Sequence, residues 1–313
     1  MVKLALVFPG QGSQSVGMMR SFADSRPVRD TFAEASRVLG QDMWQLADEG
    51  PVDALNSTVN TQPLMLTAAY AVYRAWREAG GAQPAVVAGH SLGEYTALVV
   101  AGVVDFRDAL PLVRFRAQAM QDAVPLGAGA MAAIIGLDDD AVRAACSAAA
   151  QGEVVEPVNF NAPSHVVIAG HKAAVERGAD AAKARGARRA VMLPVSAPFH
   201  SSLLKPAARR LEEYLTGVVF NAPQIPVINN VDVVVASQPQ QIKSALARQA
   251  CNPVRWVEVI RQMARTGATH IAECGPGKVL SGLSRRIDGT LQGVAIADSA
   301  SLDQALQMLR EAA

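Results

Sequence analysis

Residues 86–102 read VVAGHSLGEYTALVVAG. An apolar run leads into Gly89-His90-Ser91-Leu92-Gly93, and a second apolar run leads out. This predicts a buried strand, a sharp turn and a buried helix, the context in which G-x-S-x-G presents a serine nucleophile. Such a turn forces the serine backbone into a strained conformation that only small neighbours allow. The serine oxygen is pushed out above the sheet edge. The Leu92 N–H then falls at a helix start, where backbone donors are unpaired, and is placed to hold an oxyanion.

The rest of the chain is read around this turn. Leu4 to Phe8 is a short apolar run stopped by Pro9-Gly10, and predicts a buried strand. A polar, glycine-rich loop follows, then helical patterning to about residue 55. Residues 62–79 have helical spacing and end at Gly80-Gly81. A second buried strand covers 84–89 and a helix 94–101. Asp108 is a candidate cap for a helix reaching Asp122, with Pro111 tolerated in its first turn. Buried strands alternating with helices indicate an α/β fold with a mostly parallel sheet.

The pattern changes near Pro125. A strand in GAGAMAAIIGL, a helix at 139–150, paired strands in VVEPVNFNAP and HVVIAG, a helix at 171–185 and a strand at 188–194 follow in turn. This β-α-β-β-α-β order is the ferredoxin-like pattern. The expected architecture is a core domain of residues 1–125 and 199–313 interrupted by a ferredoxin-like α+β subdomain at 126–198. The core resumes with helices at 201–216, capped by Ser201, and at 238–248, an apolar run PVINNV at 226–231, and a strand at 269–274.

With 313 residues, 50% of them hydrophobic, the chain can bury a sizeable core without disulfide or metal staples. Its formal net charge of +1 supplies no global field toward nucleic acid or membrane. Cys146, Cys251 and Cys274 are odd in number and lack CxxC spacing, which argues against a disulfide framework and a zinc site. They read as buried thiols in a reducing compartment. No apolar stretch reaches the ~20 residues that span a bilayer. The opening MVKLALVFPGQGSQ does not read as a signal peptide. A cytoplasmic protein is expected.

A serine nucleophile needs a base. The histidines are at 90, 165, 171, 200 and 270. His90 lies inside the turn and is expected to point away; His270 falls in a strand; His165 and His171 belong to the inserted segment. His200, in SAPFHSSLL, sits in a loop between a strand and a helix, where catalytic groups tend to lie. On the residues alone it is either the base or a structural histidine.

Eight stretches together resemble one family. They are FPGQGSQ (8–14), NTQPLML (60–66), GHSLGEY (89–95), FRAQAMQ (115–121), NFNAPSHVVIAG (159–170), APFHSSLL (197–204), QACNPVRW (249–256) and ECGPGKVLSGL (273–283). Their order and content resemble the malonyl-CoA:acyl carrier protein transacylases and the acyltransferase domains of fatty acid and polyketide synthases. The resemblance implies a hydrolase-like α/β core with an inserted ferredoxin-like subdomain. It implies that Ser91 is acylated, that His200 is the general base and acid, and that the Gln249 backbone carbonyl orients the histidine. Gln11, beside the Leu92 amide, is implied in the oxyanion hole, and Arg116 in binding the malonyl carboxylate. Taken alone, Arg116 would read as a solvated helix arginine and Gln11 as a loop polar group. A guanidinium fork does fit a carboxylate bidentately.

No triad acid aligns with the family at Asp105, Asp108 or Asp122, so a Ser–His dyad is expected. The implied reaction is ping-pong transfer of malonyl from coenzyme A to the phosphopantetheine thiol of acyl carrier protein, with no metal or redox cofactor. Phe199 resembles the malonyl-selective form of its motif and would crowd a 2-methyl branch. Met120, one turn from Arg116, is either a pocket residue or core. Lys183, Arg185, Arg188 and Arg189, and Lys278, Arg285 and Arg286, are either carrier-docking charges or solvated faces. A monomer is the plainer expectation. The competing activities are a trans-acting polyketide acyltransferase, a hydrolase of acyl carrier protein and an idle docking subunit.

Overall fold

The computed structural model describes residues 3–312. Residues 1, 2 and 313 of the expected core range lie outside the described residues. The strands, in chain order, are Leu4–Phe8 (β1), Val86–Gly89 (β2), Gly129–Ile135 (β3), Val155–Ala162 (β4), His165–His171 (β5), Arg189–Met192 (β6), His270–Cys274 (β7) and Gln292–Ile296 (β8). They form two sheets of four strands each.

The first sheet is parallel, in the order β2-β1-β7-β8. β1, β2 and β7 are buried at every position, because helices cover both faces. This is why their sequences are unbroken apolar runs rather than alternating ones. β8 closes one edge and is only partly buried, so it carries no such run; neither it nor the helix Ser299–Glu311 that follows was expected from the sequence.

The second sheet is antiparallel, in the order β4-β5-β3-β6. Alternation along β3 buries both of its faces. Ala132 and Ile134 pack with the helices Asp139–Ala150 and Lys172–Ala184, while Met131 and Ala133 pack into the main core. The second sheet is therefore wedged against the first body.

Two local expectations are corrected. The helix Phe106–Asp122 is capped by Asp105, whose carboxylate accepts from Arg107 N at 2.8 Å, while Asp108 is exposed in the first turn. The two aspartates are three residues apart and either suits a cap; packing of Phe106 into the core selects the earlier one. Ser201 caps no helix. Its hydroxyl donates to the Pro198 carbonyl at 2.7 Å, and a short 3-10 turn, Ser202–Leu204, precedes the helix Lys205–Thr216. Within the apolar run PVINNV, Val227 bridges Val87 in parallel and Ile228 bridges Val235 in antiparallel fashion.

Among the described residues, no helix is long and apolar enough to cross a membrane, and no cluster of His, Cys, Asp and Glu is placed to hold a metal. The three cysteines are unpaired.

Candidate active site

The turn after β2 is built by close approach. A Cβ on Gly89 would lie 1.8 Å from the Gly93 carbonyl carbon, and one on Gly93 would lie 2.1 Å from the Phe8 carbonyl oxygen. Both positions therefore require glycine. Ser91 itself adopts φ 53°, a left-handed conformation that costs of order 1 kcal/mol or more and persists only when its surroundings enforce it. Asn230 does so: its Oδ1 accepts from Ser91 N at 2.8 Å, and its Nδ2 donates to the Gly89 carbonyl at 2.8 Å.

His200 also has a positive φ, 67°. Its Nε2 lies 2.7 Å from Ser91 Oγ and its Nδ1 lies 2.8 Å from the Gln249 carbonyl oxygen. A carbonyl can only accept, so Nδ1 carries the proton. In the neutral ring Nε2 is then free to accept from the Ser91 hydroxyl. Burial, reinforced by the nearby Arg116 charge, pushes the His200 pKa down from 6.5 to about 3. The ring is neutral at pH 7. None of the candidate acids reaches it: Asp105 is a cap, Asp108 is exposed, and Asp122 pairs with Arg210 at 3.0 Å.

Arg116 enters from the helix Phe106–Asp122 and is only 2% exposed. Its Nη1 donates to Gln62 Oε1 at 2.6 Å, and its Nη2 donates to Gln249 Oε1 at 2.9 Å and to Ser91 Oγ at 3.1 Å. The guanidinium sits 5.3 Å from the centre of the Tyr95 ring, and its Nε–H has no partner. Every hydrogen-bond acceptor it has is neutral, and burial presses its pKa down. A buried cation with only neutral acceptors favours an incoming anion.

These groups open onto one cavity of about 600 Å³. Ser91, His200, Arg116, Gln11, Leu92 and Phe199 line it from the parallel-sheet side, and Met131, Asn159 and Leu193 to Val195 line it from the antiparallel side. Neither the Gln11 nor the Leu92 backbone N–H donates to an acceptor among the described residues. The Gln11 side chain is otherwise engaged, its Oε1 accepting from Thr58 Oγ1 at 2.8 Å. His90 turns from the Ser91 hydroxyl and pairs with Asn161 Oδ1 at 2.8 Å. Met120 is not on the cavity wall; it is buried behind it, its sulfur 4.0 Å from Gln62 Nε2.

Residues 5–293 match the family model described as the acyl transferase domain. The chain belongs to the acyl transferase family. It is 55% identical over 309 residues to the malonyl CoA-acyl carrier protein transacylase of Escherichia coli K12, covering 98% of this chain and 100% of that one. The crystal structure of an acyl-carrier-protein S-malonyltransferase from Burkholderia pseudomallei superposes with a TM-score of 0.96 at 66% identity, covering 98% of this chain and 100% of that one. A malonyl-transacylase in complex with its type II PKS acyl-carrier protein gives 0.96 at 52% identity, covering 98% and 99%.

In this acyl transferase the sequence-derived residues Ser91, His200, Gln249, Arg116, Gln11, Leu92 and Phe199 converge on one site. Glu94, Asn230 and Gln62 were not singled out, although they hold the site together. Only Glu94 left a local signal, as the one charge in the apolar helix Gly93–Val100. The basic clusters, Lys183, Arg185, Arg188 and Arg189 in one and Lys278, Arg285 and Arg286 in the other, are all exposed. Arg286 reaches the Pro163 carbonyl at 3.5 Å, which sets it beside the end of β4.

Proposed function

We propose that this chain moves a malonyl group from coenzyme A to the phosphopantetheine thiol of acyl carrier protein, through a malonyl ester on Ser91. The observation that carries this reading is Arg116: a buried guanidinium with neutral acceptors only, 3.1 Å from the hydroxyl that His200 activates. The names of the relatives support the substrate pair.

His200 Nε2 takes the Ser91 proton as Oγ attacks the thioester carbon. The oxyanion is held by the Leu92 and Gln11 amides, each a donor without another acceptor; removing one such donor typically costs about 10²–10³ in rate. The carbon–sulfur bond breaks, and the coenzyme A thiolate leaves with the proton from His200. The carrier thiol then gives its proton to His200 and attacks the ester carbonyl; the carbon–oxygen bond breaks, and Ser91 Oγ takes the proton back from His200. Gln249 O holds Nδ1–H throughout, which keeps the dyad in the working tautomer. Coenzyme A and phosphopantetheine serve as substrate groups, and no separate cofactor takes part in this scheme.

We read the parallel sheet as a hydrolase-like core, residues 1–125 and 199–313, and the segment 126–198 as an inserted ferredoxin-like subdomain. The sheet order and the position of the cavity between the two sheets support this division. The proposed form is a monomer in the cytoplasm, where reduced thiols persist. Phe199, on the cavity wall, is the proposed limit on a 2-methyl branch. The exposed basic clusters are the proposed contacts for an acidic carrier.

Intact-protein mass measurement after mixing with malonyl-CoA should show one malonyl group added, absent in Ser91→Ala and removed by holo acyl carrier protein. No adduct on Ser91 would overturn the proposal. Transfer rates to fatty acid and polyketide carriers, compared side by side, distinguish the two pathways.

A further inference from the structure

Gln249 is fully buried and faces three ways. Its backbone oxygen takes the Nδ1–H of His200 at 2.8 Å, and its side-chain oxygen takes an N–H of Arg116 at 2.9 Å. Its side-chain nitrogen donates to Glu94 Oε2 at 2.8 Å and to the Ser91 carbonyl at 3.0 Å. The two ends of an amide have nearly the same shape and opposite polarity. Turned over, Gln249 would aim N–H groups at the guanidinium and an oxygen at the Glu94 carboxylate. The guanidinium contact would repel, and the turned oxygen would meet the Ser91 carbonyl and, wherever it is ionised, the Glu94 carboxylate. What lies behind Nε2 therefore decides which end Arg116 meets.

Glu94 is the carboxyl acceptor there, 2% exposed, in the first turn of the helix that follows Ser91, and burial pushes its pKa up to about 7. The same carboxylate oxygen accepts from the Asn230 backbone at 3.0 Å, and the Asn230 side chain grips the serine turn. One buried carboxylate thus joins the turn carrying the nucleophile to the residue that touches both the base and the guanidinium. Glu94 itself is not on the cavity wall, and its recorded partners are Asn230 and Gln249.

We propose that Glu94 is a positioning residue for the acyl-carboxylate site: it locks the Gln249 amide so that the oxygen faces Arg116, and so aims the guanidinium into the acyl pocket. With Gln249 holding Nη2 and Gln62 holding Nη1, the fork cannot swing away from Ser91. The inference rests on the reading of Arg116 as the group that holds the substrate carboxylate.

The readout is the ratio of Ser91 acylation by malonyl-CoA to that by acetyl-CoA, with folding checked by circular dichroism. Both hydrogen bonds to Glu94 converge on one oxygen, so Glu94→Gln can place its amide oxygen there and should keep the ratio within about threefold. Glu94→Met fills the volume without an acceptor. It should lower the ratio at least about tenfold, the size of one hydrogen bond to a charged group, through a raised KM for malonyl-CoA and little change with acetyl-CoA. Gln249→Met should show a comparable fall in the ratio, and the double variant should fall no further than the worse single one. A purely structural role would depress both thioesters alike and leave the ratio unchanged; that result, or full additivity in the double variant, overturns the inference. If Glu94→Met does not fold, an unchanged ratio in Gln249→Met or a tenfold fall in Glu94→Gln overturns it instead. If Arg116→Ala leaves the ratio at its wild-type value, the reading of Arg116 fails, and that failure is recognised independently of Glu94.

Discussion

Replacing Arg116 with alanine tests the centre of the proposed chemistry. In the structure Nη1 gives one N–H to Gln62, and Nη2 gives its two to Gln249 and Ser91 Oγ. A carboxylate in the pocket can take the second N–H of Nη1 and the one now directed at Ser91. Hydrogen bonds to charged groups contribute about 1.5–3 kcal/mol each. One of the two replaces an existing contact, so the lower end of the pair applies, about 3 kcal/mol. That corresponds to a factor of about 10² in the preference for malonyl over acetyl. Acetyl offers a methyl to the same guanidinium and has nothing to lose. Arg116→Ala should therefore reduce acylation by malonyl-CoA about 100-fold relative to acetyl-CoA. Single-turnover mass measurement, with both thioesters competing for Ser91, gives the ratio directly. Arg116→Lys keeps a charge but lacks the fork, and should fall between. An equal loss with both thioesters would refute the reasoning and make Arg116 a structural cation.

Other outcomes follow from the same geometry. His200 is held down to about pKa 3 by burial and by Arg116. Its neutral, base-competent form is present above that value and lost as pH falls through it, so the acid limb of kcat/KM should lie well below 6.5 and move upward in Arg116→Ala. A wild-type limb at 6.5 would contradict this. Replacing Asp105, Asp108 or Asp122 with asparagine should leave turnover within a few-fold, whereas loss of a triad aspartate costs about 10⁴; a loss of that size at any of them would reveal an acid acting on His200. Phe199→Ser should raise methylmalonyl transfer relative to malonyl by about 10- to 100-fold, the range of a one-methyl discrimination. Unchanged extender choice in a competition assay would return Phe199 to simple packing.

The parallel strands were legible because full burial removes alternation and leaves apolar runs such as LALVF and VVAG. β8 was not, since an edge strand that is half exposed lacks that run. The order of elements in 126–198 was readable from spacing alone, but their pairing as β4-β5-β3-β6 is a tertiary fact. At the site, Ser91 stood out because its glycines are demanded locally by close contacts. Arg116 gained meaning only through the family resemblance, because a lone arginine has many ordinary fates; the loop position of His200 left it as either the base or a structural histidine, and the resemblance favoured the base. Asn230 and Glu94 could not be assigned at all: their partners lie 136 to 155 positions away in the chain, and only the folded chain brings such amides and carboxylates together.

The neutral oxygen behind His200 bears on how long an acyl-serine lasts. A carbonyl offers an imidazolium less comfort than a carboxylate does, so the ring is a feeble proton acceptor. Ser91 has help, since the Arg116 cation touches its oxygen and eases ionisation. Water approaching the loaded enzyme would meet that cation already satisfied by the diacid's free end. A thiol, ionising near pKa 8.5 and so far more readily than water, needs no such aid. The centre should thus resist leakage to solvent while surrendering its cargo to sulfur.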